Sequence, residues 1–332
     1  MPRKPSSRIF RGTPRNLSYL ARCLRAGDIV GVPTETVYGL AADALNPRAC
    51  QKVFTAKGRP TSDPLIVHIA TLTELDTIAI PNAAAFRLAK KFWPGPLTLI
   101  LPKKPVVPAI VSAGLSSVAV RMPSHRLFRR LIQLSGRPLA APSANPFGYI
   151  SPTTAEHVRA CLGSKIDFIL DGGPAYIGLE STIIDLRNPA RPRLLRPGAI
   201  SREAIAAALG RPVAWPRAKT AAPSQAQVAP GSLTRHYSPR TSLVLHTRIT
   251  PALIAKSGPN EAFLYIAKPA GKTAKNIYWL DTHGNLHGAA RRLFAHLRTL
   301  DTTGYSRIHA EYASGQGPAD AINDRLRRAA AV

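Results

Sequence analysis

Acidic side chains are scarce in this chain: 18 Asp and Glu stand against 45 Lys and Arg, a net charge of +27 over 332 residues. Many cations must therefore find no carboxylate partner within the protein. A surplus of this sign favours polyanionic partners, nucleotide or RNA. It equally fits a lineage whose proteins are basic throughout. Cysteine is scarcer still. Cys23, Cys50 and Cys161 lie far apart, form no CxxC and are odd in number, which argues against a disulfide framework and for a reducing cytoplasm. In that setting the sequon Asn16-Leu17-Ser18 meets no glycosylation machinery. No apolar run reaches the roughly 18 residues that a transmembrane helix needs, so no membrane partner is expected. The opening MPRKPSSRIFRGTPR lacks the apolar core of a secretory signal, and residues 1–12 read as a loose basic arm.

Familiar chemical signatures are missing too. Gly271-Lys272-Thr273 ends like a phosphate-binding loop, but Ile266 stands where a Walker A motif needs Gly, and Gly315-Gln316-Gly317 lacks the third glycine of a dinucleotide fingerprint. His283 and His287 are separated by Gly284-Asn285, with no third ligand adjacent, so no protein metal ligand is assigned. No GxSxG elbow and no Cys–His pairing supplies a covalent nucleophile. What remains is chemistry by positioning and electrostatics.

Forty-five per cent of the residues are apolar, and the length accommodates two domains with their own cores. Short apolar runs predict strands over 29–32, 65–69, 97–101, 118–121, 139–141, 168–170, 182–185 and 193–195. Helical periodicity predicts helices over 17–25, 83–92, 126–134, 155–161 and 202–209, with Thr154 and Ser201 as N-caps. Strands and helices mix without strict βαβ alternation, so the fold class is α/β with a mixed, twisted sheet and flanking helices. From 211 to 241 five prolines (Pro212, Pro216, Pro223, Pro230, Pro239) interrupt the pattern, which reads as a linker. Strands over 243–246, 262–267, 277–280 and 307–310 and helices over 251–255, 286–300 and 319–330 follow, a small Rossmann-like α/β domain. The division is thus 1–12 arm, 13–210 larger domain, 211–241 linker and 242–332 small domain.

Six constellations carry chemistry. Past the apolar run ending at Pro33 come Thr34, Glu35, Thr36 and Tyr38, hydroxyls at a strand end where a small polar ligand can sit. Lys57 and Arg59 flank Gly58 before Pro60, a turn in which both cations can reach one anion, or two solvated surface charges. Ser143 and Asn145 follow the 138–141 strand, with Ser151 one loop on; an ordinary polar turn is the plain alternative. Arg121 and Arg196 end apolar strands beside Met122-Pro123 and Pro197, and the shortage of acids favours a ligand over a protein carboxylate as their partner. Gly172-Gly173 leads through Gly178-Leu179-Glu180-Ser181 to Thr182, and Pro230-Gly231 leads to His236-Tyr237, polar aromatics unexpected in a linker unless it docks on something.

Taken jointly, PTETVYGLAADA, KGRP…PLIVHI, WPGPLT, VAVRMPSH, APSAN…SPTTAEHV, DGG…GLESTIIDL, LLRPGAIS and PGSLTRHYSP occur in one order over nearly the whole chain. In this the chain resembles the YrdC-type family of L-threonylcarbamoyladenylate synthases, in its longer two-domain form. The resemblance implies a nucleotidyltransferase that converts L-threonine, bicarbonate and ATP with Mg²⁺ into threonylcarbamoyl-AMP and pyrophosphate. The product then serves a tRNA threonylcarbamoyl transferase complex that modifies the adenosine beside the anticodon. The resemblance places L-threonine against Thr36, His68, Arg121, Ala141 and Thr182. It places ATP against Arg59, Ser117, Ser143, Ser151, Arg196 and Tyr237, with Lys57, Arg59, Ser143 and Asn145 as a catalytic cluster, and makes the linker a lid closing with Tyr237. A basic RNA-binding or ribosome-associated protein of the same fold is the alternative. One position departs: the family carries Asn in KGRPxxNPL where this chain has Asp63, and a carboxylate beside phosphates repels them unless it binds Mg²⁺ or is engaged elsewhere.

Overall fold

A computed structural model describes residues 7–215, 226–231, 236–271 and 274–331. Half of the expected arm (residues 1–6), the linker prolines Pro216 and Pro223, residues 232–235 of PGSLTRHYSP, and Lys272-Thr273 lie outside the described residues. The first unit runs β1 (Arg8–Arg11), α1 (Pro14–Arg25), β2 (Val30–Val32), β3 (Gly39–Asp43), α2 (Pro47–Lys57), β4 (Ile66–His68), α3 (Leu75–Ile78), α4 (Ala83–Phe92) and β5 (Leu97–Pro102). It continues through α5 (Ala109–Ser112), β6 (Ser117–Arg121), α6 (Arg126–Ser135), β7 (Leu139–Ala140), α7 (Ala155–Leu162), β8 (Phe168–Asp171), β9 (Thr182–Asp185), β10 (Arg193–Arg196) and α8 (Arg202–Leu209). The second unit is β11 (Ser242–His246), α9 (Pro251–Lys256), β12 (Glu261–Ala267), β13 (Ile277–Asp281), α10 (Leu286–Thr302), β14 (Arg307–Glu311) and α11 (Pro318–Ala330).

The ten strands of the first unit form one mixed sheet in the order β1-β8-β2-β3-β7-β4-β6-β5-β9-β10. Thr154 and Ser201 cap their helices as anticipated, each accepting a backbone N–H three residues on. Besides the one-turn helices α3 and α5, three elements were not anticipated. Residues 8–11 are no loose arm: β1 pairs in parallel with β8. β3 follows the hydroxyl-rich turn directly and pairs antiparallel with β2. Between Asn46, whose side chain accepts from the N–H groups of Arg48 and Ala49, and the left-handed Gly58 (φ 62°) lies α2. Lys57 is therefore the last residue of a helix, and only Gly58 and Arg59 belong to the turn.

Period-two alternation gives the central strands two unlike faces. On one, Val67, Leu97, Leu99, Leu101, Val118, Val120 and Ile184 are buried under residues of α2, α3, α4 and α8 in the largest apolar cluster. At about 1.5–3 kcal/mol for each fully buried large aliphatic side chain, this face supplies much of the driving force for folding. The other face of β4 and β6 carries Ile66, His68, Ser117, Ala119 and Arg121, in register Ile66 opposite Ala119 and His68 opposite Arg121. It is covered by loops, by linker residues Val228 and Ala229, and at the His68 end by α6, whose Phe128 ring lies 5.3 Å from that of His68.

The second unit is a four-stranded, all-parallel sheet in the order β11-β14-β12-β13. Its helices α10 and α11 pack against the first unit, where Val37, Ile150, Leu179 and Tyr237 join one apolar cluster with Leu293, Phe294, Ile322 and Leu326. Gly178 (φ 82°) is necessary there, since a Cβ on it would lie 2.4 Å from Arg291 Cα of α10.

Candidate active site

A cavity of about 50 Å³ lies over this second face of β4 and β6. Its walls come from stretches distant in sequence: Thr34, Thr36, Val37 and Gly39; Arg59; Ile66 and His68; Arg121; Ala141–Ser143; Glu180-Ser181; and Arg196. Linker residues Pro230, Gly231, His236 and Tyr237 roof it.

Thr34 builds the first wall. Its hydroxyl accepts from the N–H groups of Thr36 (3.1 Å) and Val37 (3.2 Å) and lies 2.8 Å from the Thr36 hydroxyl. Thr36 in turn accepts from Arg121 Nη1 at 3.1 Å, while Arg121 Nη2 lies 2.5 Å from Glu35 Oε1 and its Nε donates to the Gly95 carbonyl. Tyr38 turns away from this group, bonding to Gly173 and Gly172. His68 stands opposite Arg121 in the strand register. Burial first, then the neighbouring guanidinium, pushes its pKa down to about 3, so the ring is neutral in any physiological buffer.

Lys57 joins two segments that sequence alone treats separately. Its fully buried Nζ donates to the carbonyls of Ser143 and Asn145, 2.5 Å each, tying the end of α2 to the loop after β7. Burial, reinforced by Arg59 and opposed by Asp63, holds this amine well below its usual pKa. Arg59 donates to the carbonyls of Asp63 and Pro64 and pairs with the Asp63 carboxylate at 2.9 Å. Asp63 is thus engaged with a protein cation. Arg196 donates to the carbonyl and the hydroxyl of Ser181 and reaches the Pro230 carbonyl. The expectation that ligands alone would neutralise these cations is corrected here: Arg121 and Arg59 both hold protein carboxylates, because a buried charge without a partner is too costly to keep.

The roof is docked, not free. Gln227 N–H donates to the Ser62 carbonyl, Ser238 N–H to Gly148, and His236 N–H to Arg328 of α11. Tyr237 adopts a left-handed backbone (φ 62°), and its ring packs at a tilt against Phe294 of α10, centroids 5.5 Å apart. His236 is fully buried and held neutral, its pKa driven far down by burial and then by Arg59, Lys57 and Arg196.

Of the residues proposed from sequence, Thr36, Arg59, His68, Arg121, Ala141, Ser143, Arg196 and Tyr237 line this one cavity. Lys57, Asn145, Ser117, Ser151 and Thr182 do not. Asn145 stands behind Ser143, its side-chain amide spent on the Pro146 and Tyr149 carbonyls. Ser151 donates to Glu180 Oε1 at 2.5 Å, and Thr182 exchanges hydrogen bonds with the backbone of Ile200. Ser117 shares the face of β6 with Arg121, at the strand's other end. Glu180, Ser181 and His236 line the cavity without having been given roles. Their motifs were visible, but nothing in one sequence says which side chain of a motif faces inward.

Buried polar atoms without a hydrogen-bond partner occur on this wall and just behind it, and also elsewhere, on Ser7, His125 and Arg129. Among the described residues they include Glu35 Oε2, His68 Nδ1, Asn145 Oδ1, His236 Nδ1 and Tyr237 Oη. Native interiors rarely leave such atoms unmatched, and where they crowd one cavity they await a ligand. Guanidinium groups, hydroxyls and a neutral imidazole on one wall suit an anionic molecule bound beside a small zwitterion.

Comparison with known proteins agrees with this chemistry. The family described as Telomere recombination (Sua5/YciO/YrdC) matches residues 22–198, and a family described as Threonylcarbamoyl-AMP synthase, C-terminal domain, matches residues 200–331. A threonylcarbamoyl-AMP synthase of Pyrococcus abyssi is 43% identical over 92% of this chain and 91% of its own length. One of Bacillus subtilis is 40% identical over 95% and 92%. The crystal structure of P. abyssi Sua5 complexed with L-threonine superposes with a TM-score of 0.89 at 38% identity, covering 98% of both chains.

Proposed function

The chain belongs to the Sua5/YciO/YrdC family and to the threonylcarbamoyl-AMP synthases within it, and from that premise we propose that it joins L-threonine, bicarbonate and ATP into threonylcarbamoyl-AMP and pyrophosphate. Its relatives are enzymes of the nucleotidyltransferase kind, and so is this chain. The observation that carries the substrate reading is the convergence of Arg59, Arg121 and Arg196 with Thr36, His68 and Ser143 on one cavity whose walls hold unmatched buried polar atoms.

In this reading the threonine carboxylate takes the fork of Arg121, which Glu35 and Thr36 hold in place from behind. The neutral His68 borders it without adding charge. The triphosphate lies toward Arg59 and Arg196, with Ser143 beside the reacting phosphate. Threonine's amine adds to the carbon of bicarbonate, or of the CO₂ derived from it, with loss of water or a proton. The resulting carbamate oxygen attacks the α-phosphorus, and the bond to pyrophosphate breaks. Fixed guanidinium groups stabilise the charge that develops on the leaving oxygens. Lys57 acts one layer back, holding the Ser143–Asn145 loop through its two carbonyl bonds. No protein nucleophile takes part, and holding three reactants together provides much of the acceleration.

Mg²⁺ would enter with the triphosphate. Among the described residues no group of three or more His, Cys, Asp and Glu could hold a metal ion. Phosphate oxygens and water would supply its ligands, which suits an ion that sheds its water reluctantly. His236 and Tyr237 are buried in the roof, so in this reading the roof lifts for entry and closes on the bound substrates. The product passes on for modification of tRNA adenosine beside the anticodon, and the basic surface gives RNA some affinity for the chain. The three cysteines are free, as a reducing cytoplasm would keep them; no described helix is long and apolar enough to cross a membrane.

Pyrophosphate release measured with each substrate omitted in turn tests the proposal. Release must require ATP, threonine and bicarbonate together. Release that persists without threonine, or without bicarbonate, refutes it.

A further inference from the structure

The wall of the cavity contains a carboxylate whose neutralising partner comes from the other unit. Glu180 is buried, and both its oxygens are engaged: Oε1 accepts from Ser151 Oγ at 2.5 Å, and Oε2 from Arg325 Nε at 2.8 Å. Arg325 lies on α11, 145 residues away along the chain, and its side chain is fully buried. The same guanidinium donates to the carbonyl of Pro197, directly after Arg196, at 3.0 Å. It also sits 5.1 Å from the centre of the Tyr237 ring in the roof. One side chain thus touches a wall, the residue following a cavity arginine, and the lid.

We infer that Arg325 is a positioning residue for the nucleotide: by neutralising Glu180 and holding Pro197 and Tyr237, it makes affinity for the anionic nucleotide conditional on the docking of the second unit. This rests on the reading above that a nucleotide occupies the side of the cavity lined by Arg59 and Arg196. Glu180 shares that cavity and is one residue from Ser181, which accepts both bonds from Arg196. Without Arg325, Glu180 is a buried negative charge facing a polyphosphate, and like charges a few ångströms apart inside a protein repel strongly. Arg121 and Thr36 keep their own partners on the threonine side and do not touch Arg325. The effect is therefore selective between the two substrates. Because such coupling is reciprocal, bound nucleotide in turn strengthens the docking of α11.

The test uses the full chain and reads ATP and threonine dissociation constants by calorimetry, with pyrophosphate release alongside. Arg325→Gln should weaken ATP about tenfold or more while threonine changes less than about twofold. Adding Glu180→Gln to that variant should recover most of the ATP affinity, because the repelling charge is gone. Glu180→Gln alone should bind ATP at least as tightly as the unaltered protein. Should Arg325→Gln fail to fold, the double variant and Glu180→Gln still decide the matter. Equal weakening of both substrates, no recovery in the double variant, or weaker ATP binding by Glu180→Gln would each overturn the inference. If the unaltered chain binds ATP but releases no pyrophosphate with threonine and bicarbonate, the functional reading falls while the ATP constants still judge Arg325. If it binds no ATP, both fall.

Discussion

Each unit holds a polar cluster, buried in the first and partly buried in the second, and the two are finished differently. In the second unit Glu261, His309 and His246 lie side by side on β12, β14 and β11 and satisfy one another. His309 Nε2 is 2.6 Å from Glu261 Oε2, its Nδ1 is 2.9 Å from His246 Nε2, and its ring lies flat on Phe263 at 5.0 Å. In the first unit the cluster around the cavity keeps unmatched atoms on Glu35, His68, Asn145, His236 and Tyr237. A buried polar group with no partner costs more than the same group paired, so a fold retains such groups only where something else repays the cost. The closed cluster is architecture; the open one faces substrate.

Substitutions that treat the two clusters alike should produce unlike results. The largest separation is expected from Arg59→Ala. Pyrophosphate release should fall by about 100-fold or more, as when one preorganised charge is lost from a transition state. A fall of less than fivefold would remove Arg59 from the chemistry. Arg121→Ala comes next. The threonine KM should rise about thirtyfold for a lost charge-assisted contact, and thermal stability should drop because Glu35 is left buried and unpaired, at a cost of about 3–5 kcal/mol. Arg121→Lys should regain much of the melting temperature but little of the KM, since a point charge cannot replace the fork. If both recover together, Arg121 is structural only.

His309→Leu probes the closed cluster. Denaturant unfolding should show a loss of about 1–2 kcal/mol from the two lost hydrogen bonds, Glu261 keeping Arg307 and His246 reaching solvent, with both substrate KM values unchanged within a factor of two. A selective rise in one KM would show that the second unit's cluster serves catalysis after all. The smallest effect is one of pH. Unfolded His68 binds a proton below about pH 6.5, whereas the folded protein refuses it until about pH 3. Its contribution to stability is therefore complete above pH 6.5 and lost as the pH falls through that window. His68→Gln should flatten melting temperature against pH between about 4 and 6.5, and an unchanged slope would place that titration elsewhere.

Parts of this were legible in the sequence. Alternation in β4, β5 and β6 marked strands, and Thr154 and Ser201 announced their helices. The second unit's strands and helices were anticipated within a residue or two at most ends. α2 escaped because its stretch is polar and short of large aliphatics, with caps at Asn46 and Gly58 as its clearest signs. Arg325 escaped for the opposite reason. It sits on the apolar stripe of α11 with Ile322, Leu326 and Ala329, and a cation on such a stripe could have been read as a buried partner for a distant acid.

Residue type and local spacing determined the chemistry available to this protein. Strands had to end in Arg121 and Arg196, a helix had to stop at Gly58, and hydroxyls had to cluster after Pro33, because each depends on neighbours within a few residues. Which carboxylate meets which cation was decided only by the tertiary structure. Glu35 meets Arg121, Asp63 meets Arg59, and Glu180 meets Arg325 across 145 residues and two units. Such pairings depend on distance in space and on exclusion of water, and neither quantity exists until the sheet, the linker and the last helix have closed around one another.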